Sequence, residues 1–357
     1  YVMNLIAAII GGSIVAAFIL PKLYNAKTIT IYGFIGDRFG ETSKRANSIM
    51  FLIGQLFTSG SRLFIASIAV SVILFGSIHF QFVMWSIIIL GIISTIYTML
   101  GGIKGLLYID AFQTLLIIFT GLVAFVIIYL AIDMPFSEIW ASLTSGGMVK
   151  DPGVAAGMTA EGTFYGWSEG SKLKMFDPSL NPKLPYTILG GVIGIAFFRV
   201  AQYTTNHEFV QRQLTAKDVK KAGSSLIYSQ LICLPLVIMF IGIGSLLFVL
   251  YKTNPDFDAL GRSFFTDARD VFPQFIKNHI PAGVRGLMIV GLLAAALSSF
   301  NSAINAMASS FVSDLYLPIK KDRGHSIEGN ADQLTSSRKM VILMGAILTG
   351  FAIVTAV

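Results

Sequence analysis

The chain has 357 residues, of which 54% are hydrophobic and only 13% charged, with a formal net charge of +7. Soluble globular domains carry roughly 25% charged residues, so this composition excludes an ordinary water-soluble protein and describes one that resides in a bilayer. The positive balance does not describe a nucleic-acid binder, because the basic residues are dispersed between apolar runs and form no stripe with interleaved aromatics.

Apolar stretches of about 18 residues or more, enough for a helix to cross a ~30 Å hydrocarbon core, fall near residues 1–20, 48–75, 82–100, 111–132, 186–205, 225–251, 285–312 and 340–357. They predict about eight spans and an all-α integral membrane protein. The runs are long and unbroken, unlike the alternating segments of about ten residues in an outer-membrane barrel. Because the chain opens on Tyr1 and stops at Val357 inside an apolar run, it is expected to be a single transmembrane domain, 1–357, truncated at both ends. The opening has no basic region before its apolar run and reads as a span, not a targeting segment. Cys233 is the only cysteine, which rules out an intrachain disulfide.

After the first span, PKLYNAKTITIYGFIGDRFGETSKRAN carries Lys22, Lys27, Arg38, Lys44 and Arg45, and the positive-inside rule predicts that it faces the cytoplasm. The second span contains Gln55 and, two turns later, Arg62, and is followed by the uncharged GSIHF. Gly101 and Gly102 precede the fourth span, which opens with Asp110. Segment 133–185 is rich in Gly, Pro and Ser and reads as an irregular extracellular loop, with one short helix at PFSEIWASL. Arg199 interrupts the fifth span, and NHEFVQRQLTAKDVKKAG returns to the cytoplasm with Arg212, Lys217, Lys220 and Lys221. Segment 252–284 is expected outside, with an interfacial helix in DALGRSFFTDARDVFPQFIKNHIPAG. The connection after the seventh span, with Lys320, Lys321 and Arg323, lies inside.

The seventh span is unusual: AAALSSFNSAINAMASSF holds Ser298, Ser299, Asn301, Ser302, Asn305, Ser309 and Ser310 within apolar sequence. Ala295, Ser298, Ser299 and Ser302 follow i, i+3, i+4, i+7 spacing and share one helical face. Ser298, Ser302 and Ala306 make a small-residue stripe suited to tight helix packing, and the same hydroxyls, with freed carbonyls, suit a small hard cation. Asp110 fits a helix N-terminus or a cation partner. Arg62 and Arg199 either snorkel to headgroups or meet an anion, and a guanidinium fork matches a substrate carboxylate. His79, His207, His279 and His325 show no metal-ligand spacing, and HExxH, GxSxG and P-loop patterns are absent from the sequence, so an enzyme is not expected.

Three stretches together resemble the sodium:solute symporter family. They are GGIKGLLYIDAFQ, with its glycine pair and Asp-x-x-Gln; NHEFVQRQLTAKD; and PAGVRGLMIVGLLAAALSSFNSAINAMASSFVSDLY, the most specific of the three. The resemblance covers nearly the whole chain. It implies the leucine-transporter-like inverted-repeat helix bundle, with the visible spans as core helices two through nine. It implies sodium (Na+) as coupling ion, held by the Ala295 carbonyl and the Ser298 and Ser299 hydroxyls. A second sodium would fall on Asp110, Ser298, Asn301 and Ser302, although Asn301 stands where the two-sodium pattern has serine.

The same resemblance places Arg199 at a substrate contact, Gln202 and Tyr203 at the inner gate, and Asn4, with Leu5, near a further contact. Gln55 aligns with a carboxylate-binding arginine of sialic acid carriers, leaving Arg62 as its substitute, and His207 stands where glutamine is usual. The implied function is sodium-coupled import of a small, acidic organic solute across the plasma membrane, the inner membrane in a bacterium, with the lipid bilayer as surroundings and a monomer sufficient. A symporter of neutral sugar or amino acid, or a transporter-like sensor, is the alternative.

Overall fold

A computed structural model describes residues 2–26, 28–145, 147–150, 157–158, 164–165, 167–170, 187–253, 271–323 and 330–356. Within them, eight helical stretches are long and apolar enough to cross a membrane: Met3–Ala26, Glu41–Phe75, Phe80–Ile103, Gly105–Ile132, Ile188–Thr205, Val219–Tyr251, Ala282–Asp322 and Ser336–Val354. Each expected span falls on one of them. The second and seventh run past the apolar windows because helical hydrogen bonding continues into polar sequence, whereas hydropathy marks only the part that lipid can solvate.

The helices used below are α1 (Val2–Ile14), α2 (Leu20–Ala26), α3 (Ile31–Phe39), α4 (Glu41–Phe75), α5 (Phe80–Ile132), α6 (Phe136–Ser145), α7 (Ile195–Thr205), α8 (His207–Leu214), α9 (Val219–Thr253), α10 (Val271–His279), α11 (Ala282–Ser310), α12 (Leu317–Asp322) and α13 (Asn330–Val354). Single π-helical stretches at Val15–Ile19, Ile188–Gly194 and Phe311–Tyr316 join α1 to α2, lead into α7 and follow α11. The long α5 breaks at Gly102, whose φ of 54° and ψ of −164° suit a residue without Cβ. The glycine pair therefore divides the third span from the fourth, leaving Asp110 two turns past the break.

Segment 133–185 contains the expected short helix as α6. It also contains β1 (Gly147–Lys150) paired antiparallel with β4 (Trp167–Gly170), and β2 (Gly157–Met158) paired with β3 (Phe164–Tyr165). The sequence reading expected irregular chain there; strands this short leave no alternation long enough to stand out among the glycines. Of the expected interfacial helix, α10 is described, and residues 254–270 lie outside the described residues.

Contacts divide the chain into two compact units. The first comprises Tyr1–Ile14, Gly121–Val200 and Leu226–Ala268; the second comprises Val15–Thr120, Ala201–Ser225 and Arg269–Val357. In the first, α1 packs against the Ile188–Gly194 turn and the start of α7. A Cβ placed on Gly11 would sit 2.9 Å from both the Ala196 carbonyl oxygen and the Arg199 Cβ, so glycine is what permits that approach. In the second, α4, α5, α11 and α13 enclose a core of Leu63, Ile87, Leu90, Phe300, Ile304 and Leu348. Large apolar side chains such as Phe57, Ile65 and Ile96 point outward, as a lipid-facing surface requires.

Lipid is as apolar as leucine, so these helices cohere through close approach, not through exclusion of water. The second unit shows how. Gly91 of α5 faces Thr349 of α13, and Thr95 of α5 faces Gly345 of α13, a reciprocal glycine–threonine pair on antiparallel helices. Each threonine hydroxyl donates to the carbonyl of the glycine on its own helix, at 2.7 Å in both cases. The hydroxyls are thereby satisfied in place and leave the helix faces smooth.

Candidate ion-binding site

The polar face of α11 meets α5 and α8 within the second unit. Ser302 donates its hydroxyl to the Ser298 carbonyl at 3.0 Å, one turn back on the same helix. Ser298 donates its own to Asp110 Oδ1 at 2.7 Å. The other carboxylate oxygen, Oδ2, accepts from Arg212 Nη2 at 2.6 Å, and the same nitrogen touches the Ser302 hydroxyl. One carboxylate, one guanidinium and two hydroxyls thus converge where α5, α8 and α11 come together.

α8 is stitched along α11 at three levels. His207 Nε2 lies 3.4 Å from Ser309 Oγ, Gln211 accepts from Asn305 at 3.2 Å, and Arg212 reaches Ser302. The rungs run in opposite directions along the two helices, as an antiparallel pair must. Asn206 starts α8 by accepting the Glu208 amide at 2.9 Å, which fixes the turn that presents these side chains. Asn301, next to Ser302, is wholly buried, and both amide atoms lack a hydrogen-bond partner among the described residues.

Of the expected residues, Asp110, Ser298 and Ser302 are brought together directly. Ala295 and Ser299 lie on the exposed side of α11. Gln55 is buried in α4, and its amide nitrogen donates to Glu208 Oε2 at 2.8 Å and to Ser59 at 3.1 Å. Arg62 is exposed two turns along α4, and among the described residues no hydrogen bond or ion pair engages it. In the first unit, Arg199 donates to Asn4 Oδ1 at 3.0 Å. Tyr203 is buried in the second unit, edge-on to Phe209 with ring centroids 5.5 Å apart, and Gln202 precedes it on α7.

Sequence reasoning passed over Arg212 and Glu208 as site residues. The signal was the i, i+4 spacing that sets them on one face of a short polar helix. It also passed over Asp314, whose carboxylate accepts Thr30 at 2.6 Å and Ser310 at 3.0 Å and ties the entry to α3 to the end of α11.

His207 and Glu208 are buried neighbours beyond the end of the fifth span, and burial acts on them in opposite senses. It lowers the His207 pKa to about 4. Between that value and the unfolded pKa of about 6.5, the unfolded chain binds a proton that the folded chain refuses, so stability falls as pH drops. Burial raises the Glu208 pKa, with the Gln55 hydrogen bond and the charges of Arg212 and Arg62 opposing. Its contribution is therefore fully present below the unfolded pKa and is lost as pH rises through the folded one. Thermal unfolding across pH 4–7 should show His207→Gln losing acid-side sensitivity and Glu208→Gln losing sensitivity of the opposite sign. Parallel curves for wild type and both variants would contradict these environments.

Fold and site together define a multi-pass helical membrane protein with an oxygen-rich polar cluster between its spans. Residues 1–357 match the sodium:solute symporter family, and the chain belongs to that family. It is 27% identical over 335 residues to the sodium/sialic acid symporter SiaT of Proteus mirabilis, an alignment covering 94% of this chain and 60% of the relative. It is 26% identical over 309 residues to the sodium/sialic acid symporter NanT of Aliivibrio fischeri, covering 87% of this chain and 55% of the relative. The chain thus spans little more than half the length of these curated relatives. The solved structure of a substrate-bound, outward-open Na+-coupled sialic acid symporter superposes with a TM-score of 0.78 at 24% identity, over 99% of this chain and 68% of that one. That likeness establishes the fold.

Proposed function

We propose that this chain is the membrane core of a sodium-coupled secondary active symporter that imports a small organic solute by alternating access, with an acidic solute such as a sialic acid as cargo. The observation that carries this reading is the convergence of Asp110, Ser298 and Ser302 between the spans of a chain from this family. Oxygen ligands suit a hard monovalent cation. The Ala295 carbonyl with the Ser298 and Ser299 hydroxyls holds the first sodium ion; Asp110, Ser298, Asn301 and Ser302 offer the donors for a second. Membership of a symporter family supports a chain that carries solute without transforming it. The chain works in the plasma membrane with sodium and a small solute as partners, and a monomer is sufficient for that.

The acidic preference rests on Arg62, whose exposed guanidinium is in no hydrogen bond or ion pair among the described residues, and on Arg199, held by Asn4. A planar guanidinium fork binds a carboxylate through two parallel hydrogen bonds. Gln202 and Tyr203 stand at the cytoplasmic gate. The membrane potential adds about 2.3 kcal/mol per net charge per 100 mV, roughly fifty-fold accumulation, before the sodium gradient contributes.

Purified full-length protein in proteoliposomes tests the reading. Sialic acid uptake driven by an inward sodium gradient, absent with potassium and reduced at least about tenfold in Ser298→Ala and Ser299→Ala, is the expected result. Uptake indifferent to sodium would overturn it. Arg62→Gln with undiminished acid uptake would remove the carboxylate role and favour a neutral sugar or amino acid.

A further inference from the structure

Arg212 places a cation of the chain itself among the donors assigned above to a second sodium ion. Its Nη2 takes Asp110 Oδ2 at 2.6 Å and touches Ser302, while Ser298 holds the other carboxylate oxygen. A guanidinium and a sodium ion cannot share these oxygens at contact distance without strong like-charge repulsion. Asn301, adjacent to Ser302, leaves a buried amide oxygen and nitrogen unpartnered among the described residues, which is costly unless a ligand meets them.

A second acceptor for the arginine stands close by. Glu208 precedes Arg212 by four residues on α8, the spacing at which helical side chains are neighbours. Its buried carboxylate accepts from Gln55 and, among the described residues, has no cation within ion-pair distance. A rotation of the Arg212 side chain, with α8 unmoved, carries the guanidinium from one carboxylate towards the other.

We propose that Arg212 is a tethered competitor for the second sodium ion: the guanidinium holds the Asp110–Ser302 position, sodium displaces it, and Glu208 receives it. This rests on the sodium-coupled reading above. The exchange keeps the charge beside Asp110 constant, one cation leaving as another arrives. It weakens the apparent sodium affinity in proportion to the time the arginine spends in the site. It also makes Glu208 and Gln55, which touch no sodium donor, partners in the ion equilibrium.

Sodium titrations of the thermal midpoint, on full-length protein at fixed pH and ionic strength with choline as replacement, test the proposal. Arg212→Gln should lower the half-saturating sodium concentration about tenfold, as expected if the arginine occupies the site roughly nine-tenths of the time. It should also keep a sodium response when combined with Ser299→Ala, which disables only the first site. Glu208→Gln, which removes the receiving carboxylate, should raise the half-saturating concentration. Unchanged or weakened sodium binding in Arg212→Gln overturns the proposal. If that variant does not fold, Glu208→Gln decides: a raised concentration supports competition, and an unchanged or lowered one overturns it. A wild type without any sodium response overturns the sodium-coupled reading and this proposal together, whereas a normal wild-type response with unmoved variants overturns this proposal alone.

Discussion

Asp110→Ala should be among the most damaging polar substitutions in the chain, lowering stability by about 2 kcal/mol even without sodium. The value lies between the ~1 kcal/mol of an exposed ion pair and the ~3–5 kcal/mol lost when one partner of a buried pair is removed. The pair is intermediate: the Asp110 side chain is 12% exposed and that of Arg212 39%. Alanine removes the acceptor of both Ser298 and Arg212, taking from the guanidinium its ion-pair partner. Part of the loss is the cost of a half-buried cation without its partner, so Arg212→Met in the same chain should recover that part. A double-mutant cycle on thermal or denaturant unfolding reads this directly, since contacting residues are non-additive. If the double variant is as unstable as the two single losses added together, Asp110 and Arg212 are not coupled and the geometry described here is wrong.

What could be read from the sequence follows the range of the interaction. Spans were legible because each is a local fact about some twenty consecutive residues. The break between the third and fourth spans was legible from Gly101 and Gly102, and the chain turns at the second of them. The shared face of Ser298 and Ser302 was legible because helical periodicity alone puts it there. Their meeting with Arg212 was not, since Asp110 and Arg212 are 102 positions apart and Arg62 or Arg199 was an equally good partner on paper. Gln55 illustrates the same limit. Its alignment pointed to a substrate carboxylate, and in the fold its amide is committed to the carboxylate of Glu208, 153 positions away. The Thr30–Asp314 bond, spanning 284 positions, left no local trace.

The second large effect is expected at the reciprocal glycine–threonine contact, where Gly91→Val or Gly345→Val should abolish recovery of folded, monodisperse protein. Even a methyl group at Gly91 would overlap the side chain of Thr349, and one at Gly345 would overlap Thr95. Neither threonine can move aside easily: β-branching restricts χ1 in a helix, and each hydroxyl is already bonded to a carbonyl of its own helix. The remaining response is separation of α5 from α13, which forfeits the close contact on which helix association in lipid depends. Gly91→Ala alone should cost about 2 kcal/mol, within the 1–3 kcal/mol typical of overpacking. Pairing it with Thr349→Ala, which removes the obstructing atoms, should restore most of that. Gly350→Ala on the same α13 is the control, because a Cβ there meets nothing within 4 Å. It should be neutral or slightly stabilising, as alanine is the better helix former by about 1 kcal/mol. Equal losses at Gly91 and Gly350 would mean that general intolerance of side chains, and not contact with Thr349, sets the requirement for glycine.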